Sequence, residues 1–457
     1  MPKQKEKKHT LSARQGWGYA LLAMGYNMVI AFAPAYISIY YTDIVGVAVG
    51  TVGVILLVMK LTDGISDILM GLVIDRTHTK MGKARPWILA GGIGSAFSLY
   101  MLFNCPDHLS YMGKVIFCAV FYFLVNPFLG TVFGVAQTTI VNFFTGDSKE
   151  RTSYGVVNTL GGLVTSILVV MIVPVLLSSL GESRETYRLI AGGLMVLTII
   201  CTAVSVLLVR ESLTEKELER GNPAALPQQS VKESVVNLFK NKYFLYLAIG
   251  SIAYNIMMNA GSGIYYAKYI LGDVVYQMVF TIPSLVVFLL LPLGLKLMAR
   301  IGRRKYFTVC LACSVIGCTM VYFANDNFVW VAISFMIKTI GMLAFVTAIT
   351  PTTGEISDYS LVQTGVPMDG MVFSGYSMGV KIGTGLGAAI TNWILAWGGY
   401  VGTAEVQSDS ALFAIRGSVS LFPAIMALIA LFCFYEIDIE DHAQEIRAEI
   451  ERRHLRG

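Results

Sequence analysis

The sequence predicts an all-α membrane protein with about twelve transmembrane helices of roughly 20 residues each. Of its 457 residues, 55% are hydrophobic and only 14% are charged, with a mean hydropathy of +0.65. A water-soluble domain of this length needs more charge to cover its surface. Long apolar runs, such as residues 87–103 and 419–434, recur along the chain. Because a backbone in lipid must satisfy its own hydrogen bonds, these runs indicate helices.

Six apolar segments precede a charged central stretch and six follow it. The first six predicted helices span residues 16–41, 50–74, 86–103, 115–144, 155–180 and 189–209. The second six span residues 243–270, 275–298, 306–323, 329–353, 371–397 and 412–434. The predicted organisation is a tail (1–15), a six-helix bundle (16–209), a central loop (210–242), a second six-helix bundle (243–434) and a second tail (435–457).

Lysine and arginine residues concentrate in loops that would share one side of the membrane. The loop after predicted helix 2 contains Arg76, Lys80, Lys83 and Arg85, and the loop after predicted helix 8 contains Arg300, Arg303, Arg304 and Lys305. Basic loops stay in the cytoplasm, so we expect a multi-pass protein of the cell inner membrane with both termini cytoplasmic. The same loop position in each half predicts two pseudo-symmetric six-helix halves, the pattern of the major facilitator fold.

Predicted helix 2 carries three ionisable residues, Lys60, Asp63 and Asp67. Such residues are costly in a membrane helix and mark function by default. Asp63 and Asp67 are four residues apart and share one face, with Ser66 close to it. Their oxygens suit Na⁺ or Li⁺, or a shared proton, because adjacent like charges oppose ionisation of both acids. The alternative is a structural salt bridge with Lys60 or with a lysine of predicted helix 11.

Predicted helix 11 places Lys381 in the middle of an apolar segment, between Gly379 and Gly383. No acid lies nearby in the sequence, so its partner must come from another helix, and Asp63 and Asp67 are the candidates. An ammonium beside these acids would respond to the entry of a cation. The alternative is structural pairing alone.

The sequence shows no nucleotide-binding glycine loop, zinc signature or Ser–His–Asp arrangement. Its seven cysteines lie mostly in apolar segments and are expected to be free. We therefore expect no enzyme activity, no organic cofactor and no nucleic-acid partner. The expected partners are a small polar solute, a coupling cation and membrane lipid, and the protein is expected to be a monomer.

Several motifs are more specific than this general pattern. They are YYTD at residues 40–43, KLTDGISD at 60–67, DRT at 75–77 and GKARPW at 82–87, followed by Asp147, Arg151, Asp358, Tyr359 and Lys381. Together they resemble the glycoside–pentoside–hexuronide:cation symporters, the family of the melibiose and glucuronide permeases, over nearly the whole chain. The resemblance implies symport of a sugar, glycoside or hexuronide with Na⁺ or H⁺ by alternating access.

The resemblance also implies residue roles at the cation site. In the family, two helix 2 aspartates bind the coupling cation, and they match Asp63 and Asp67, which would be the metal ligands if the cation is Na⁺. A family threonine on helix 4 matches Thr131, and the family lysine on helix 11 matches Lys381. Ser66 stands where the melibiose permease has an asparagine, which leaves both Na⁺ and H⁺ open.

The implied solute site departs from that of the melibiose permease. Two sugar-binding aspartates of that protein match Asn27 and Gly134, its stacking tryptophan matches Thr138, and an arginine matches Thr159. Loss of the acids suits an anionic solute, and an asparagine at position 27 resembles the glucuronide permeases. The candidate solute contacts are Asn27, Gln137, Thr138 and Asn142, and the alternative for each is a role in helix packing.

Two other functions stay open on the sequence alone. A lysolipid carrier of the same fold would need a pocket that opens to lipid, and predicted helix 1 is apolar around residues 31–35. A non-transporting membrane sensor would normally carry an added soluble signalling domain, whereas the expected tails are short.

Overall fold

The computed structural model describes residues 13–77, 79–144, 148–209, 211, 238–260, 263–365, 369–404 and 406–452. Before residue 210 its helices are α1 (Ala13–Ile39), α2 (Val49–Asp75), α3 (Arg85–Leu102), α4 (Tyr111–Phe123), α5 (Leu129–Thr139), α6 (Ser148–Leu180) and α7 (Arg184–Leu208). After residue 237 they are α8 (Lys242–Asn259), α9 (Gly263–Tyr269), α10 (Met278–Leu289), α11 (Leu291–Ile301), α12 (Arg303–Ala324), α13 (Phe328–Thr364), α14 (Asp369–Trp397), α15 (Asp409–Val419), α16 (Leu421–Tyr435) and α17 (Ala443–Arg452). Two π-helical turns, Tyr40–Val45 and Leu124–Phe128, extend α1 and join α4 to α5.

Eight helical spans in the described ranges are long and apolar enough to cross a membrane. They are Ala13–Val45, Tyr111–Thr139, Ser153–Leu180, Arg184–Leu208, Lys242–Tyr269, Arg303–Ala324, Phe328–Thr364 and Asp409–Ile446. The segments on either side of Leu290 form a ninth candidate that bends by 62°, and Pro292 in the first turn of α11 has no backbone N–H to continue the helix. The all-α membrane class is thus confirmed, and the total of twelve helices stays a prediction.

Contacts divide the chain into two compact units. The first unit comprises Met1–Tyr40 and Thr62–Ala225, and the second comprises Tyr41–Leu61 and Leu226–Gly457. In the first unit α1 packs against α6 and α7, and α3 packs against α5 and α7. Aromatic side chains pack in its core, where the Tyr40 hydroxyl donates a hydrogen bond of 2.8 Å to the Phe103 carbonyl oxygen.

In the second unit, α8 packs against α14, and α12 packs against α13 and α16. The contact between α8 and α14 requires small residues. A Cβ at Gly383 would lie 2.6 Å from the carbonyl oxygen of Ile252, so only glycine allows this close approach. This packing fixes the helix that carries Lys381.

In each half of the chain a carboxylate caps the helix that follows the basic loop, α3 in the first half and α12 in the second. Glu211, shortly after α7, accepts hydrogen bonds from the backbone nitrogens of Lys83 and Arg85 at 2.7 and 3.1 Å. Glu440, shortly after α16, accepts one from the backbone nitrogen of Arg303 at 2.7 Å. The first N–H groups of a helix have no partner within it, and an acid at that end satisfies them. The two basic loops that repeat in the sequence are therefore each bound by an acidic residue from later in the chain.

Helix α13 continues to Thr364, which is 11 residues beyond the predicted end at residue 353. The charged residues Glu355 and Asp358 interrupt the apolar pattern from which that end was predicted. In the structure Glu355 forms an ion pair with Arg303 at the start of α12. Because Arg303 of another helix neutralises the charge of Glu355, the acid is accommodated within α13 and the helix continues past it.

Candidate functional site

The predicted cation site is assembled within the first unit. Asp63 of α2 is 9% exposed, and its Oδ1 atom accepts a hydrogen bond of 3.0 Å from the Thr131 hydroxyl of α5. The Ser66 hydroxyl lies 3.4 Å from the Thr131 hydroxyl and donates to the backbone oxygen of Asp63 at 3.0 Å. Asp67 is half-buried one helical turn beyond Asp63. The structure therefore brings three of the four predicted cation-site residues into one hydrogen-bonded group, with the fourth on the same helix.

The local backbone explains how Thr131 reaches this group. Pro127 lies inside the π-helical turn between α4 and α5, and proline cannot donate the hydrogen bond that a regular helix requires. Such wide turns occur frequently at functional sites. Thr131 follows in the first turn of α5, where its hydroxyl points to Asp63 and lies 3.5 Å from the backbone oxygen of Asn126.

Two tyrosines near the acids were missed by the sequence analysis. Tyr26 of α1 interacts electrostatically with both Asp63 and Asp67, and Tyr122 of α4 interacts with Asp63. The Tyr122 hydroxyl also accepts a hydrogen bond of 3.3 Å from the Asn126 side chain. The available signal was weak, because a tyrosine in an apolar helix resembles any other core aromatic residue. Only its position beside Asn27 distinguished Tyr26.

This arrangement can hold one small hard cation or a proton. Two carboxylates and two hydroxyls supply oxygen atoms, the ligands that alkali and alkaline-earth ions prefer. In the described part of the chain, no group of three or more His, Cys, Asp and Glu side chains is placed to hold a metal ion.

Lys381 lies in the second unit, on the face of α14 that contacts the first half of α2. Within this unit the side chain of Lys60 packs on Gly385. A Cβ added at Gly385 would lie 2.8 Å from the Cβ atom of Lys60. Gly385 follows Lys381 by one helical turn and so shares its face. Gly53 of α2 contacts Trp393, two turns further along α14. The approach of Lys381 to Asp63 and Asp67 stays a prediction.

Three of the four predicted solute contacts are described, and each has a protein partner. Asn27 donates to the Ala23 oxygen at 2.8 Å, and the buried Gln137 donates to Asn158 at 2.7 Å. Thr138 is exposed and donates to backbone oxygens of its own helix, at Gly134 and Val135. The side chain of Asn142 lies outside the described residues. The exposed Thr138 hydroxyl can still accept a hydrogen bond from a solute.

A second charged cluster lies in the second unit around Asp43, whose side chain is 4% exposed. Its Oδ2 atom accepts hydrogen bonds of 2.8 Å from both Lys268 and Tyr269. Its Oδ1 atom accepts from Tyr400 at 2.5 Å and from Thr42 at 2.8 Å. The YYTD motif ends at this aspartate, but its four donors could not be identified from the motif. This carboxylate anchors the chain after α1 to the end of α9 and to the segment after α14.

The fold and the acid site together define a secondary transporter of the membrane. Residues 18–441 match the family described as MFS/sugar transport protein, and the chain belongs to this family. The inner membrane symporter YicJ of Escherichia coli (strain K12) is 26% identical over 450 residues, which are 93% of this chain and 91% of that protein. The glucuronide carrier protein homolog of the same organism is 24% identical over 455 residues, 97% of this chain and 96% of that protein. The predicted resemblance to the glycoside–pentoside–hexuronide:cation symporters is confirmed.

A solved structure shows the same fold at low sequence identity. It is the inward-facing, unoccupied form of a bacterial homolog of the human lysosomal transporter Spinster. The TM-score is 0.66 at 14% identity, and the match covers 96% of this chain and 99% of that one.

Proposed function

We propose that this protein carries a sugar, glycoside or hexuronide across the inner membrane together with Na⁺ or H⁺, by alternating access. The observation that supports this most directly is the group of Asp63, Ser66 and Thr131, with Asp67 one turn further along α2. Two acids one turn apart within a membrane helix serve no packing purpose that an apolar pair would not serve at lower cost. A reversible cation site explains it.

Coupling follows from the charge of the site. When both acids are ionised and the site holds no cation, the two carboxylates repel each other. A bound cation or proton removes this repulsion and so stabilises the site. Lys381 is proposed to supply the positive charge in the empty state and to be displaced when the cation arrives. The proposed coupling depends on four residues that match the family's cation site, namely Asp63, Asp67, Thr131 and Lys381. No organic cofactor is part of it.

The solute is proposed to be polar and to include anionic sugars. One relative is named as a glucuronide carrier homolog. The described candidate contacts, Asn27, Gln137 and Thr138, are neutral, and Gly134 has no side chain. Neutral side chains add none of the repulsion that aspartates would exert on a carboxylate, and the second amide N–H of Asn27 or Gln137 can donate a hydrogen bond to it. Asn142 remains a proposed contact as well.

The proposed topology places both termini in the cytoplasm, with the bundles 16–209 and 243–434 on either side of the loop 210–242. The basic residues after α2 and α11 support it. We propose a monomer in contact with membrane lipid, without an enzymatic activity or a nucleic-acid partner.

The direct test is uptake by the purified protein in liposomes. Radiolabelled methyl β-D-glucuronide and methyl β-D-xyloside would be tested with an imposed Na⁺ gradient, an imposed proton gradient, or neither. We expect concentrative uptake driven by one gradient and abolished by Asp63→Asn or Asp67→Asn. The matched control is Asp107→Asn, because the Asp107 side chain is 79% exposed and pairs with Arg184 away from these acids. Concentrative uptake that both helix 2 variants retain would overturn the proposed coupling.

A further inference from the structure

Tyr26 lies halfway along α1 with its ring directly over Gly134 of α5. A Cβ at Gly134 would lie 2.6 Å from the Tyr26 hydroxyl oxygen and 2.8 Å from Cζ, so the ring fills the space that any side chain at 134 would need. The ring also makes an edge-to-face contact with Phe133, the residue before Gly134, with 5.5 Å between ring centroids. A side chain at position 134 would therefore displace the Tyr26 ring.

The same ring lies between the cation site and a candidate solute contact. On α5, Thr131, Gly134 and Thr138 are three and four residues apart and so share one face. Thr131 binds Asp63, Gly134 supports Tyr26, and Thr138 is exposed. Tyr26 also interacts electrostatically with both Asp63 and Asp67. Its ring over Gly134 therefore lies about one helical turn from Thr131, which binds Asp63, and about one turn from Thr138.

The Tyr26 hydroxyl is available for a ligand. Across the described ranges it has no hydrogen-bond partner in the protein, whereas the hydroxyl of nearby Tyr122 is bonded to Asn126. A half-buried phenol usually finds a partner, because leaving it unpaired is costly. A sugar offers both kinds of contact that a tyrosine makes, a ring face for packing and hydroxyls for hydrogen bonding.

We propose that Tyr26 binds the solute and makes its affinity depend on the cation, an inference that rests on the proposed function. Without a cation, the charges of Asp63 and Asp67 attract the phenol O–H dipole toward the acids. A bound cation neutralises that field, and the O–H group then donates to a hydroxyl or carboxylate oxygen of the solute. Tyr26 is therefore a specificity residue as well as the link between the two ligands.

The test compares wild type with Tyr26→Phe, which keeps the ring and removes only the hydroxyl. The purified full chain would be titrated with methyl β-D-glucuronide and methyl β-D-xyloside, each with and without the driving cation. We expect Tyr26→Phe to weaken the binding of the probe in the presence of the cation by about 5- to 10-fold. Without the cation its affinity should equal that of wild type. Thermal stabilisation by the cation alone should be retained.

A second pair of variants tests the contact itself. Gly134→Ala should displace the ring and weaken probe binding, whereas in a Tyr26→Ala background the same change should have no further effect. Gly193→Ala is the matched control, because nothing lies within 4 Å of a Cβ at that helical glycine.

Three results would count against the proposal in different ways. Wild-type affinity and cation dependence in Tyr26→Phe would overturn the role of Tyr26 and leave the proposed function intact. Loss of stabilisation by the cation alone in that variant would make Tyr26 a cation ligand rather than a solute contact. A wild-type protein that binds neither probe under any cation condition would overturn the proposed function, and the role of Tyr26 with it.

Discussion

Replacing Asp43 by asparagine removes the charge at the centre of the second-unit cluster. The carboxylate accepts four hydrogen bonds, from Lys268, Tyr269, Tyr400 and Thr42. An asparagine offers one oxygen, and its NH₂ group would face two donors. The tyrosine and threonine hydroxyls can rotate to accept, but the Lys268 ammonium cannot.

The expected loss follows from the exposure of the pair. Breaking a fully buried ion pair costs about 3–5 kcal/mol, whereas an exposed pair contributes about 0–1 kcal/mol. The Asp43 side chain is 4% exposed but that of Lys268 is 24% exposed, so water relieves part of the penalty. We expect a loss of about 2–3 kcal/mol. At roughly 2–4 °C per kcal/mol for a unit of this size, the Tm should fall by about 4–12 °C.

A thiol-reactive fluorogenic dye suits the measurement, because Cys310, Cys318 and Cys433 are buried in the same unit and react only on unfolding. Lys268→Met in the Asp43→Asn background should recover part of the loss, since it removes the unpaired ammonium. Asp107→Asn is the control, because the 79% exposure of Asp107 makes its pair with Arg184 a surface contact. The reasoning would be refuted if Asp43→Asn had the same Tm as Asp107→Asn. It would also be refuted if the Tm losses of Asp43→Asn and Lys268→Met were additive in the double variant.

Three further predictions test other parts of the molecule. Lys381→Ala should change the cation dependence of uptake more than the solute affinity, and cation titrations identical to wild type would contradict its proposed role. Lys83→Cys should react with a membrane-impermeant thiol reagent only from the cytoplasmic side, whereas labelling in intact cells would show that helices were miscounted. Glu440→Gln should lower the free energy of unfolding by about 0.5–2 kcal/mol through loss of the α12 cap, with Glu451→Gln, at an exposed position, as a control that leaves the Tm unchanged.

The sequence by itself determined the class of protein and the location of its acids. Apolar runs are a local property, because each membrane helix satisfies its own backbone. The helical spacing of Asp63 and Asp67 is local as well, so their shared face could be predicted. The choice of Thr131 came from the family resemblance, and its hydrogen bond to Asp63 agrees with that choice.

Only the tertiary structure decided which polar groups meet. Glu211 caps a helix that starts 126 residues earlier in the chain, and Tyr400 binds Asp43 across 357 residues. The sequence around Glu211 and around Asp43 contains no pattern that indicates these partners. Tyr26 was overlooked for the same reason, since its contact is with Gly134 on another helix. Helix formation depends on neighbours along the chain, whereas a site depends on neighbours in space, and packing alone brings those together.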